Sequence, residues 1–299
     1  MRPTAGLVSR TGVYEGWPGI AGSLGPLTRT VTDLAILLDA MVGYDAEDPV
    51  TSAGVGHIPV SYTQSLDKDG LKGKRIGILR ESQGVYSEPD SDDYREITRV
   101  LDRSVEELKA AGAIIVDPVV IPNLKELLAK RPGSFFGSEE TFKVYMGRNK
   151  NPIYRTRDEA LRSPDFAKTV RSANLRWTRV PDPAQHYEFL KAREKLMFSY
   201  LKVMADHQLD AIAHKAVEHS PTLIRDGVNP PFVEQKGAPH INTYLVFVPT
   251  IVVPAGFTAQ NLPAGLCFLG RPYDDANLIK YAYAYEQATR YRRAPRLRS

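Results

Sequence analysis

A strand, a long amphipathic helix and a second strand follow one another between Lys74 and Val116, and this succession constrains the fold more than any other stretch of the sequence. Lys74-Arg75-Ile76-Gly77-Ile78-Leu79 reads as a strand. From about Asp92 to Ala111, residues Tyr94, Ile97, Leu101, Val105 and Leu108 recur at helical spacing, and Gly112 stops the helix. Ala113 to Val116 is then a β-branched, apolar run suited to burial on both faces. Two strands joined by a helix-length crossover pair in parallel, so the chain is expected to form an α/β sheet with helices packed against it.

The remaining periodicities agree with that class. A helix is expected from about Thr30 to Val42, with Val31, Leu34, Ala35, Leu38, Met41 and Val42 on one side and Gly43 at its end. The spacing predicts a long helix over Ala184 to His207 with a stripe of Tyr187, Leu190, Met197, Leu201 and Met204, feeding a strand at Leu209 to Ala213. Thr250 to Val253 and Leu266 to Leu269 read as short buried strands, and Asp274 to Arg290 as a closing helix. Residues 1–29 hold six glycines and three prolines, a composition of tight turns and short strands. Residues 123–183 read as short helices (Leu124–Lys130, Glu139–Met146, Asp158–Ala173) broken by Pro132, Pro152, Pro164 and Pro181.

Composition excludes several classes. The chain is 42% hydrophobic and 25% charged, the balance of a globular protein with one or two cores. No run reaches the roughly 18 apolar residues of a membrane span. The net charge of +4 is made by five arginines in the last ten residues; without Arg290, Arg292, Arg293, Arg296 and Arg298 it is 34 − 35 = −1. A basic tail is not a basic face, so no nucleic-acid partner is expected. A lone Cys267, within Gly265-Leu266-Cys267-Phe268-Leu269, allows no intrachain disulfide and reads as a core thiol.

The usual marks of chemistry are missing. The six histidines show no HxxxH or HExxH spacing, so no metal site is expected, and neither GxGxxG nor a P-loop occurs, so no cofactor is. GxSxG is absent. Ser23 in Gly22-Ser23-Leu24-Gly25 lacks the spacing of a nucleophile elbow and reads as a turn residue.

Two blocks carry a resemblance. Residues 2–42, from RPTAGLVSRTGV through GSLGPLTRTVTDLAILLDAMVG, and residues 248–295, VPTIVVPAGFTAQNLPAGLCFLGRPYDDANLIKYAYAYEQATRYRRAP, closely resemble the stretch that follows the catalytic signature and the C-terminal block of the amidase signature family. The resemblance implies a hydrolase of carboxylic amide C–N bonds on a mixed, mostly parallel sheet with helices on both faces. Members use a serine nucleophile, a second serine in a cis peptide and a lysine relay. A buried lysine with a lowered pKa can draw the proton from a serine hydroxyl through the bridging serine. The GGSS[GA]G and DTGGS[IV]R segments that carry these groups precede the G-L-[RK]-P-T stretch in the family, and the chain contains neither GGS nor DTGG.

The expectation is therefore of a single C-terminal portion of an amidase domain over 1–299, incomplete at its N-terminus and inactive alone, with residues 120–240 as a variable helical lid that sets substrate choice. A short, catalytically dead binding module is the alternative, and an independent enzyme the third reading. No catalytic residue is assigned. Tyr14, Glu15 and Trp17 lie on a loop the family often brings to the pocket mouth, and Gly25 shapes the floor beside the nucleophile; these four are the expected substrate-lining residues. Arg29 is expected to pair structurally with an acid, and Thr30 or Thr32 to cap the first helix. A small amide is the expected partner once the missing segment is restored, with self-association open. The compartment is undetermined, cytoplasmic by default, since any signal peptide would lie upstream of Met1.

Overall fold

The computed structural model describes the chain except residues 15, 20–21, 133–137, 169–177 and 295–299. Strands β1 (Arg75–Leu79), β3 (Ile114–Val119), β4 (Ala211–Lys215), β6 (Thr250–Phe257) and β7 (Pro263–Leu269) form one sheet in the order β3-β1-β4-β7-β6. β1 pairs in parallel with β3 and β4, and β7 runs antiparallel between β4 and β6. A separate two-residue ladder joins β2 (Gly84–Val85) to β5 (Ala238–Pro239). The fold is thus α/β around a mixed sheet whose first three strands are parallel, with helices on both faces.

Alternation of side chains assigns the helices to faces. Ala211 and Ala213 of β4, with Ile251, Val253, Leu266 and Phe268, lie in one core with α1 (Val31–Met41), α2 (Asp92–Ala110) and α9 (Asp275–Thr289). Ile212 and Leu269 turn the other way, into a second core with α3 (Leu124–Leu128), α6 (Pro183–Asp206) and α8 (Ile241–Tyr244). The stripe expected on α2 is buried, as are Val31, Leu34, Ala35 and Leu38 of the stripe expected on α1, with Met41 and Val42 half-buried. Thr30 caps α1, its hydroxyl accepting from the Asp33 N–H at 3.0 Å.

On α6 the buried stripe is different: Phe189, Ala192, Leu196, Tyr200 and Val203 face the sheet with Met204, while Tyr187 and Leu190 are exposed. The competing stripe was apolar too, and the face was decided by Tyr200, whose hydroxyl donates to the Gly270 carbonyl at 2.7 Å. The closing strands run longer than their apolar centres, to Phe257 and back to Pro263.

The segment from 120 to 240 is of two kinds. α3, α6 and β4 belong to the sheet and its cover, whereas α4 (Ser138–Gly147), α5 (Arg157–Leu161), a short 3-10 turn at Phe166–Lys168 and α7 (Ile224–Val228) contribute no described residue to the two sheet cores. No helix among the described residues is long and apolar enough to cross a membrane.

The first residues lie along β6. Arg2 N–H donates to the Thr250 carbonyl and Thr250 N–H to the Arg2 carbonyl, both at 2.8 Å. The Arg2 guanidinium donates to the carbonyls of Asn242, Leu245 and Val248 at 2.6, 2.5 and 2.7 Å, satisfying the frayed end of α8. Thr4 is held by Asp275, which accepts from its N–H at 3.0 Å and its hydroxyl at 2.6 Å. Burial pushes the Arg2 guanidinium down to about 10 and the Asp275 carboxyl up to about 6.

Candidate functional site

Strand order reverses at β1: the chain leaves it for β3 on one side and returns to β4 on the other. The loops after β1 and β4 meet at the carboxyl ends of these two strands, where open α/β sheets place ligands. Glu218, fully buried, gathers the loop after β1: its carboxylate accepts from the Gln83 N–H at 2.7 Å, the Gly84 N–H at 3.1 Å, the Ser82 hydroxyl at 2.9 Å and the Ser87 hydroxyl. Lys215 is buried on the α2 side, its ammonium 3.3 Å from the centroid of Tyr94 and 3.2 Å from the Thr98 hydroxyl. Burial lowers Lys215 to about 8, and lowers His214, on the opposite face, to about 4.

Asp93, His219 and Ser220 meet at this end. Their arrangement is not that of a hydrolytic triad. Ser220 donates its hydroxyl to Asp93 Oδ1 at 2.6 Å and its N–H to Oδ2 at 2.8 Å. His219 Nδ1 lies 3.1 Å from the same Oδ2, and its Nε2 accepts from the Glu88 N–H at 2.9 Å. A triad needs the serine on the histidine; here both serve the aspartate, and the imidazole is closed at each nitrogen. The cluster fixes the loops after β1 and β4. Sequence reading missed it because its members lie 126 and 127 residues apart with no motif spacing.

A second cluster is built on the N-terminal loop. The N–H groups of Val13, Gly16 and Gly19 donate in turn to the carbonyls of Arg10, Val13 and Gly16. Arg10 anchors it: Nε and the second terminal nitrogen bind the Asp48 carboxylate at 2.9 and 2.7 Å, and the other donates to the Gly19 carbonyl at 2.5 Å. Tyr14 and Trp17 share this loop. Tyr14 lies edge-on to Phe142 and Tyr145 of α4, with ring centroids at 6.4 and 5.6 Å. Glu15 lies outside the described residues.

Gly25 stands elsewhere, against the first residues. A Cβ there would overlap the Met1 carbonyl oxygen and crowd the Pro3 ring, so close backbone approach explains the glycine. The Met1 ammonium donates to the Pro26 carbonyl at 2.9 Å. Ser23 donates to the Pro3 carbonyl at 2.8 Å, tying its segment to the first residues of the chain in place of the local turn expected for it. Arg29 is exposed and makes no ion pair among the described residues. Cys267 is buried, opposite His214 in the ladder, and burial pushes its thiol up to about 12.

Comparison with known proteins gives this framework a family. The model of the Amidase family matches residues 1–279. A probable amidase of Arabidopsis thaliana is 29% identical over 99% of this chain and 54% of its own length. A glutamyl-tRNA(Gln) amidotransferase subunit of Cereibacter sphaeroides is 31% identical over 99% of this chain and 61% of its own. Among solved structures, the peptide amidase of Stenotrophomonas maltophilia superposes with a TM-score of 0.70 at 27% identity, over 98% of this chain and 58% of that one. The chain thus spans little more than half the length of the relatives it matches. From the N-terminal loop to the last strand pair, it is a member of the amidase signature family.

Proposed function

We propose that this chain forms the C-terminal portion of an enzyme hydrolysing carboxylic amide C–N bonds, and that its 299 residues alone turn over no amide. The observation that carries the reading is the family match over residues 1–279 on a chain containing neither GGS nor DTGG. The Asp93, His219, Ser220 geometry supports it, since the serine is spent on the aspartate. In this reading the nucleophile, bridging serine and lysine come from a segment preceding Arg2-Pro3-Thr4, and no residue of this chain is catalytic. Tyr14, Glu15, Trp17 and Gly25 serve the substrate side. The ties from Arg2 to the carbonyls of 242–248 and from Thr4 to Asp275 seat that junction on the C-terminal block. The substrate is a small amide, with no nucleic acid involved.

The test is an assay of the purified chain on aryl, short aliphatic and long-chain amides with a fluorophosphonate probe, alone and co-expressed with the N-terminal portion of a close amidase. No turnover alone and turnover in the complex is the expected pair. Saturable turnover by the chain alone that survives Ser23→Ala and Ser220→Ala would overturn the reading. A second reading, a catalytically dead binding module, gains if the chain is a monomer with one cooperative melt that the N-terminal portion neither binds nor activates.

A further inference from the structure

The histidine that joins the loops after β1 and β4 is held in one protonation state by what its two nitrogens face. A neutral imidazole has one donor and one acceptor. The ionised carboxylate of Asp93, at the start of α2, can only accept, so Nδ1 of His219 carries the hydrogen and donates to Oδ2 at 3.1 Å. The backbone N–H of Glu88 can only donate, so Nε2, which accepts from it at 2.9 Å, is bare.

The ring is boxed in. Its side chain is 3% exposed. Tyr94 of α2 stands 5.7 Å from it, ring centre to ring centre, and a Cβ on Gly237 would come within 2.7 Å of Cδ2. The charged groups around it are engaged elsewhere. Glu218 is taken up by Ser82, Gln83, Gly84 and Ser87, Glu88 pairs with Lys236, and Lys215 lies over the Tyr94 ring. Between Ser87, whose hydroxyl is on Glu218, and Ser91, which caps α2, the backbone is tied to the β4 side through the Glu88 N–H.

We infer that His219 is a proton-operated latch, in which uptake of a proton on Nε2 keeps the bond to Asp93 and releases residues 88–90 from the loop after β4. A protonated Nε2 is a donor facing a donor, and burying two such groups without an acceptor costs more than the lost bond contributed. The bond to Asp93 becomes charge-assisted and tightens. The ring therefore stays with α2 and the loop lets go, so the strand ends are closed while the imidazole is neutral and loosened in acid. The inference concerns regulation of the candidate site and stands without the amide-hydrolase reading, because every group in it belongs to this chain.

The latch is read by nuclear magnetic resonance on the 15N-labelled 299-residue chain. At about pH 7.5 the ring nitrogens of His219 should show Nδ1 protonated and Nε2 bare. From there to about pH 5, the span in which imidazoles ordinarily take up a proton, the Glu88 amide should lose protection from hydrogen exchange about 5- to 100-fold relative to its intrinsic rate. The loss should follow the ring shifts, while Leu101 and Val105 in the buried face of α2 keep their protection. His219→Gln has an acceptor and a donor but no proton to gain, and its Glu88 protection should be level with pH. An imidazole that stays neutral throughout, or a Glu88 amide indifferent to its titration, overturns the inference. So does an equal fall in His219→Gln, which assigns the titration to a carboxylate, or a parallel fall at Leu101, which marks general loosening. Turnover is not measured, so failure here leaves the hydrolase reading untouched, and failure of that reading leaves the latch.

Discussion

Arg10 grips Asp48 with two side-chain nitrogens and its own backbone N–H, the last at 2.9 Å, and both side chains are almost wholly out of water. The pair joins the loop of Tyr14 and Trp17 to the turn that also holds α4. Removing one partner strands a buried charge, which costs more than the pair contributes over an apolar substitute. Arg10→Ala is expected to destabilise by about 3–5 kcal/mol, and the Arg10→Ala/Asp48→Ala double variant by clearly less than the sum of the single ones. Urea unfolding of the four proteins measures both; additive losses would contradict a coupled pair.

Asp275 predicts a pH dependence. Its folded-state pKa, raised by burial from 3.8 to about 6, exceeds the unfolded value, so the folded chain keeps this proton longer. Stability contributed by the residue is therefore highest near pH 4, falls as pH rises to about 6, and is level above, by about 3 kcal/mol in all. Asp275→Asn keeps the shape of the side chain and one acceptor for the Thr4 N–H without a titratable group, and should remove the slope. Melts at pH 4, 5, 6 and 7 compare the two proteins; parallel profiles would show that the carboxyl is not the source.

Cys267 should be inert in the native protein, since burial and a thiol pushed up to about 12 remove both access and thiolate. A thiol reagent should label it in denaturant and only slowly without. Cys267→Ser should cost about 1–3 kcal/mol through a buried hydroxyl with poor partners. Fast native labelling would contradict the burial.

Gly77 sits in β1 where a Cβ would come within 2.7 Å of Leu209 and 2.8 Å of Val119. Gly77→Ala is expected to destabilise by about 1–3 kcal/mol by overpacking between neighbouring strands, and Gly77→Val by more. Thermal melting decides it, and a neutral alanine would mean that Leu209 and Val119 yield freely.

The sheet was legible where one signal stood alone. Tyr94, Ile97, Leu101, Val105 and Leu108 offered a single apolar face on α2, and that face is buried. On α6 two overlapping stripes existed, and long-range packing of Tyr200 against Gly270 decided between them, which local periodicity does not encode. Tyr14 and Trp17 were named from the resemblance alone; the rings that pack on Tyr14, Phe142 and Tyr145, lie more than a hundred residues on, in a stretch read as short helices with no tie to the N-terminal loop. The polar cluster of Asp93, Glu218 and His219 is likewise a product of topology, because it exists only once β1 and β4 stand side by side.

The pairing of Arg2 with Thr250 bears on how the molecule meets its own copies. In antiparallel geometry a residue sends N–H and C=O to the same side, and the side alternates along the strand. The groups of β6 facing away from β7 are therefore those of Thr250, Val252 and Pro254. Arg2 occupies the first, and proline has no hydrogen to give at the third. An intruding strand finds a single donor there, on Val252, where a stable rung-by-rung addition needs several in succession. This margin is blunted against strand addition over Thr250 to Pro254, which leaves β3 as the margin of the sheet where edge-to-edge pairing has to be resisted by other means.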